Sequence, residues 1–252
     1  MLPELLERRD HECRLSPLRA LETLDEAEAF LHDRGLLVRN PSLSLPSLFG
    51  ACHEEPYRPG AGGFGEWPKT KWSWSFELAQ RPGVVAPKIH AGKTLYLSPE
   101  TATLFDPVLR AELERVSEMD EDWAPVLRHL EEAGPSTPED LLTELGLERR
   151  QLKAIRAPLE RCGVVVSRWL FEDTVLYRWD QLGVVPGDGP PDLGPLVVAA
   201  VRAAVVVAER EPARWFSWKW RWEKGLVDRL VEEGSLYRPE PGWLAARTGT
   251  TT

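Results

Sequence analysis

Cysteine is scarce in this chain of 252 residues. Cys13, Cys52 and Cys162 are too few and too scattered for a disulfide framework, which excludes a small stapled secreted fold and points to a reducing compartment, the cytoplasm by default. Long apolar runs are missing as well. The longest, 196–208, is interrupted by Arg202 and falls short of the roughly 20 residues that cross a bilayer, so no membrane span is expected. Residues 1–13 are rich in charge and lack the apolar stretch of a signal peptide. Excess positive charge is absent too: 40 acidic residues outweigh 31 basic ones for a net charge of -9. Such a chain does not bind nucleic acid over its whole surface, and any such site must be local.

Several chemistries lack their signatures. The glycine-rich stretch 60–65 is not followed by Lys-Ser/Thr and has no flanking strand and helix, so nucleotide binding of the phosphate-loop kind is not expected. Serine-centred nucleophile motifs are absent. His11-x-Cys13 and the adjacent Cys52-His53 do not have the paired spacing of a zinc site. No cofactor and no metal are expected.

What is present is an ordinary globular composition, 42% hydrophobic and 28% charged, with length enough for one large or two small domains. Charge is segregated. Residues 100–140 hold twelve carboxylates against Arg110, Arg115 and Arg128, whereas 67–93 carries Lys69, Lys71, Arg81, Lys88 and Lys93 against Glu77 alone. Four of the eleven tryptophans, Trp215, Trp218, Trp220 and Trp222, stand among the cations of 210–224. That pattern suits base stacking and phosphate pairing, and it equally suits a packed core.

Along the chain, 15–35 reads as helical with Asp25 as cap and Gly35 as stop. Residues 40–68 are dense in Pro, Gly and Ser and read as loop, with a short helix at 47–52. In 71–78, Trp72, Trp74, Phe76 and Leu78 alternate with polar residues, which predicts a half-buried strand in a small antiparallel sheet with 83–86, 88–90 and 94–97. Helices follow at 98–105, 106–119 and 125–132.

Ser136-Thr137-Pro138-Glu139-Asp140 then opens a helix with a hydroxyl cap, an early proline and first-turn carboxylates, and Gly146 ends it. A second helix from Glu148 stops at Gly163, with Pro158 expected to bend it. Apolar residues on either side of a turn at 172–174 suggest a two-stranded wing. Helix, turn, helix and wing make a winged helix, a helix-turn-helix variant whose second helix would be the recognition helix. That helix carries Arg149, Arg150, Lys153, Arg156 and Arg161 against Glu148 and Glu160, a balance suited to phosphate contact. After a Pro/Gly linker at 187–195 comes an apolar helix, the Trp-rich segment, a helix at 226–231 and a short wing, a less regular repeat of the same order. The expected organisation is an N-terminal winged-helix-like region with a small Trp-rich sheet (1–134), a winged helix (135–186) and a C-terminal winged-helix-like unit (187–252). The fold class is α+β, mainly helical.

These segments resemble the winged-helix DNA glycosylase family of alkylpurine and interstrand-crosslink repair, in particular its short relatives. The resemblance rests on Leu36-Leu37 after a helix, on 67–74 (WPKTKWSW), on 87–98 (PKIHAGKTLYLS) and on the winged helix from Ser136, and it spans roughly 15–243. It implies tandem winged helices around a DNA-sized concave surface and hydrolysis of a purine N-glycosidic bond. Active members carry a Gln-x-Gln motif that positions water. Here the glutamines are Gln80, Gln151 and Gln181, with no pair two apart, so no catalytic residue carries over and DNA binding is better supported than excision. The chain is read as a DNA-binding protein related to these repair enzymes. One alternative is an active glycosylase using His53, Glu54 or Glu55 from the loop. Another is a winged-helix adaptor that docks a protein partner on the acidic segment 112–122. Candidate DNA contacts are Lys69, Lys71, Lys88, Lys93, Arg149, Arg150, Lys153 and Arg156, with Trp72 and Trp74 as candidate base-stacking rings.

Overall fold

The computed structural model describes every residue except 120, 171, 172 and 248–252. The protein is α+β and mainly helical, with small antiparallel sheets. In chain order come α1 (Leu2–Glu12), α2 (Leu24–Arg34), β1 (Leu36–Val38), α3 (Leu48–Ala51), α4 (Trp74–Glu77), β2 (Leu95–Leu97), α5 (Pro99–Ser117) and α6 (Ala124–Ala133). Then follow α7 (Pro138–Leu145), α8 (Arg149–Cys162), β3 (Val165–Leu170), β4 (Asp173–Arg178), α9 (Gly194–Ala204), β5 (Val206–Ala208), α10 (Leu226–Glu232), β6 (Leu236–Tyr237) and β7 (Trp243–Ala246). They form two compact units. The first comprises 1–78, 193–215 and 219–252; the second comprises 79–192 and 216–218.

In the first unit, β5, β7 and β6 form an antiparallel sheet in that order, with Val206 opposite Ala245 and Leu236 opposite Ala246. Leu2, Leu5 and Cys13 from the amino-terminal segment pack on Val205, Val206 and Ala245. The Ala- and Val-rich α9 buries seven of its eleven residues, as an apolar face wider than one stripe requires. The cap of α2 is Thr23, whose Oγ1 accepts from the Glu26 amide. Asp25 instead lies in the first turn, where its charge meets the positive helix end.

The stretch 55–69 is a closed, hairpin-like loop. Amide-to-carbonyl bonds run from Lys69 to Glu55, from Tyr57 to Trp67 and from Arg58 to Gly65. The strand expected at 71–78 does not form: Lys71–Ser73 is a 3-10 turn leading into α4. Apolar residues at every second position also stand four apart, and here the helical neighbours meet. The rings of Trp72 and Phe76 lie edge-on at 6.3 Å, and the Ser75 hydroxyl donates to the Trp72 carbonyl. Trp72 and Trp74 therefore do not share a strand face; of the expected sheet, 71–78 forms helical turns, whereas Val85 does pair antiparallel with Leu97 of β2.

The second unit is organised around α5. The break expected between 105 and 106 is absent, since α5 runs through Pro107. Proline cannot donate to the carbonyl four residues back, Thr103. Gly187 packs there so closely that a Cβ would lie 2.1 Å from that oxygen. Asp106, with no exposed surface, accepts from Arg110 Nε (2.8 Å), Trp179 Nε1 (2.8 Å) and the Gly187 amide (3.0 Å). Phe216 and Trp218 pack on Phe105, and Trp218 Nε1 donates to the Cys162 carbonyl at 2.9 Å.

The order of elements in 136–179 is helix, tight turn, helix and antiparallel hairpin. Thr137 and Asp140 form a reciprocal capping box at the start of α7, and Gly146, left-handed at φ 62°, ends it. α8 continues through Pro158 and ends at Gly163, left-handed at φ 84°. β3 and β4 pair from Val165 opposite Arg178 to Leu170 opposite Asp173. Asp173 and Thr174, expected in the turn, are strand residues, and 172 lies outside the described residues. Ser136 exchanges two backbone bonds with Leu176, adding a short third pairing to the hairpin.

Candidate functional site

α7 and α8 leave a groove of about 420 Å³, lined by Lys88, Pro138, Leu142, Arg149, Leu152, Lys153, Arg156, Ala157 and Glu160. Leu152 belongs to the α7–α8 contact because it faces the core, only 4% exposed, while Arg149, Lys153 and Arg156 follow at the three- and four-residue spacing that keeps them on one flank. Lys88 comes from a segment about seventy residues earlier. One carboxylate sits among these four cations. Glu160, 5% exposed, accepts from Lys88 Nζ at 2.6 Å, from Arg156 Nε at 3.0 Å and from the Ser167 hydroxyl of β3. The groove thus joins two chain segments and the hairpin through a single buried acid, and its lining keeps three positive charges in excess. An excess of this kind around aliphatic side chains attracts an anion.

Four of the eight candidate DNA contacts meet here: Lys88, Arg149, Lys153 and Arg156. Arg149 Nη2 also reaches Glu139 of α7 at 3.0 Å, an exposed pair worth little by itself. Arg150 is exposed on α8 but does not line the groove. Lys93 is exposed in the turn that returns to His90. Lys69 and Lys71 belong to the first unit. Lys69 is exposed, whereas Lys71 is turned inward: its Nζ donates to the Leu21 carbonyl at 2.6 Å and lies 5.3 Å from the Trp74 ring centroid.

Two of the three loop candidates for chemistry serve the fold. Glu54 accepts from the Thr70 amide at 2.6 Å and the Lys71 amide at 3.2 Å, so its carboxylate caps the turn that begins at Lys71. His53 Nε2 bonds the Arg14 carbonyl at 2.6 Å. Glu55 is exposed. The glutamines are engaged as well: Gln80 donates to the Trp169 carbonyl, Gln151 accepts from the Glu148 amide, and Gln181 bridges the Arg178 amide and the Leu130 carbonyl.

Of the base-stacking candidates, Trp72 is 41% exposed with its ring 5.5 Å from that of Phe64, and Trp74 is half-buried under Lys71. The Trp-rich segment divides. Trp215 and Trp218 are core residues, while Trp220 is 56% exposed. The acidic docking surface loses its first member, because Glu112 has no exposed surface and accepts from Arg115 at 2.8 Å.

Among the described residues no three His, Cys, Asp or Glu side chains gather as a metal site. Burial pushes the thiols of Cys13 and Cys162 up to about 11 and that of Cys52 up to about 12, so all three stay protonated at neutral pH.

A DNA partner leads one to expect Lys69, Lys71, Lys88 and Lys93 to converge with the cations of α8 on one surface; of these lysines, the groove brings Lys88 alone to Arg149, Lys153 and Arg156. Glu160 registered only as an opposing charge, and Pro138, Leu142 and Ala157 only as helix residues; no spacing in the sequence ties Lys88 to α8. No protein-family model matches the chain, and comparison with curated proteins and with solved structures returns no match.

Proposed function

We propose that the protein binds nucleic acid through the α7–α8 groove, with 136–179 acting as a winged helix whose second helix, α8, carries the contacts. The observation that supports this most is the meeting of Lys88 with Arg149, Lys153 and Arg156 around one buried carboxylate. In a chain of net charge -9 such a gathering is local and directional, as phosphate binding requires. The order of helix, turn, helix and hairpin supports the same reading. We read the protein as a DNA-binding relative of the alkylpurine and crosslink-repair glycosylases with weak or no excision of simple alkylated purines. His53 and Glu54 are bonded to backbone, and no glutamine pair stands where water would be positioned.

Fluorescence anisotropy with a labelled duplex tests binding. If all four cations meet phosphates, log affinity should fall by roughly 3.6 per log unit of salt. Lys153→Gln with Arg156→Gln should lower that slope by about 1.8, while Arg150→Gln should leave it nearly unchanged. An affinity that does not respond to salt removes the proposal. In the same samples, duplex carrying an alkylated purine should yield few or no abasic sites, and robust base release would overturn that part of the reading.

A further inference from the structure

The groove has a more apolar lining than a surface that only tracks a phosphate backbone needs. Its apolar lining is Pro138, Leu142, Leu152 and Ala157, whose side chains cannot donate to a phosphate oxygen, and its volume of about 420 Å³ falls within the range of small-molecule sites. A bare phosphate would use the cations and leave those apolar side chains wet. The lining therefore asks for an anion with an apolar or planar body attached. We propose that the groove seats one nucleotide bearing a terminal 5′-phosphate, its phosphate among Arg149, Lys153, Arg156 and Lys88 and its sugar and base against the aliphatic side chains. Charge selects the terminal form. A phosphomonoester carries close to two negative charges at neutral pH, an internal diester one, and the lining has three positive charges in excess. The inference rests on the nucleic-acid reading of the groove's cations, and the shared chemistry, a nucleotide with a terminal 5′-phosphate, has two sources, the phosphorylated end of a strand or a free nucleotide.

Isothermal titration of the full chain with deoxyadenosine 5′-monophosphate, deoxyadenosine and inorganic phosphate tests this directly. The nucleotide should bind at least about tenfold more tightly than inorganic phosphate, because the aliphatic side chains add apolar contact that phosphate alone cannot make, and the nucleoside should not bind. Ala157→Phe fills the groove from an exposed position without touching a cation. It should abolish nucleotide binding while leaving the thermal transition in place. Anisotropy with duplexes that do or do not carry a 5′-phosphate then separates the sources: a preference for the phosphorylated end assigns the site to strand ends, and equal affinity with nucleotide binding retained assigns it to the free nucleotide. Equal binding of nucleotide and phosphate, or nucleotide binding that survives Ala157→Phe, overturns the inference. If duplex binds with a salt slope but the nucleotide does not bind, the inference falls and the nucleic-acid reading stands. If the nucleotide binds and duplex does not, the reverse holds.

Discussion

Glu160→Gln should move stability and affinity in opposite directions. The wild-type side chain is 7% exposed and answers two cations, Lys88 at 36% and Arg156 at 28% exposure, together with the Ser167 hydroxyl. Glutamine keeps the shape and an accepting oxygen for Ser167 and one cation, but removes the charge. Breaking a fully buried pair costs roughly 3–5 kcal/mol; both cations here are about a third open to water and can rehydrate, so a loss of about 1–2 kcal/mol is expected. For a chain of this size that lowers the melting temperature by about 2–6 °C. The groove meanwhile changes from three to four positive charges in excess. A charge removed about 6 Å from a bound phosphate, at an effective dielectric between surface and bulk, is worth about 1 kcal/mol, or roughly fivefold in affinity. Thermal denaturation by circular dichroism and duplex anisotropy at fixed salt measure the two effects on one preparation. An unchanged melting temperature would mean that Glu160 does not tie the segments together. A fall in both quantities would mean that it does not compete with phosphate for Lys88 and Arg156.

Two further outcomes follow from the packing. Gly163→Ala should cost about 2–4 kcal/mol, because φ is +84° and the new Cβ would meet Leu109 at 2.4 Å and Ile89 at 2.6 Å; a urea midpoint near wild type would contradict that close approach. The three thiols should resist a disulfide-exchange reagent at pH 8, with a thiolate fraction of about 0.1% or less for a pKa near 11, and should react at once in denaturant. Because their folded pKa values lie above the unfolded one, the stability they contribute is complete below about pH 8.5 and declines as pH rises toward 11. A midpoint that does not change over that interval would refute the assignment.

How far the sequence could be read depended on whether a signal was local. Thr137 with Asp140, Gly146 and Gly163 are cap and stop residues whose meaning lies within four positions, and α7 and α8 begin and end where those residues place them. The alternation in 71–78 was local as well but ambiguous, since a period of two contains the four-residue spacing of a helix, and ring contacts to Phe64 and Phe76 decided the outcome. The separate helices expected at 98–105 and 106–119 are one, and the accommodation of Pro107 within it depends on Gly187, eighty residues away. The same limit applies to the groove. The cations of α8 could be read from the sequence, and the Lys88–Glu160 contact that gives the groove its second side could not.

The departures from the glycosylase pattern form one consistent set once the polar partners are known. A water held against a sugar carbon needs an acceptor with a lone pair left over and a fixed aim. Both Glu54 oxygens receive backbone amides of the turn that carries Trp72, which holds the carboxylate on that turn. His53 is held on the Arg14 carbonyl, and Gln80, Gln151 and Gln181 are each spent on backbone groups. The groove in turn offers cations and aliphatic side chains, with its one carboxylate already accepting three hydrogen bonds. Groups suited to holding a phosphate are thus assembled and left accessible, while Glu54, His53 and the three glutamines are committed to the fold. That arrangement is the one the proposed reading, DNA binding with weak or no base excision, calls for.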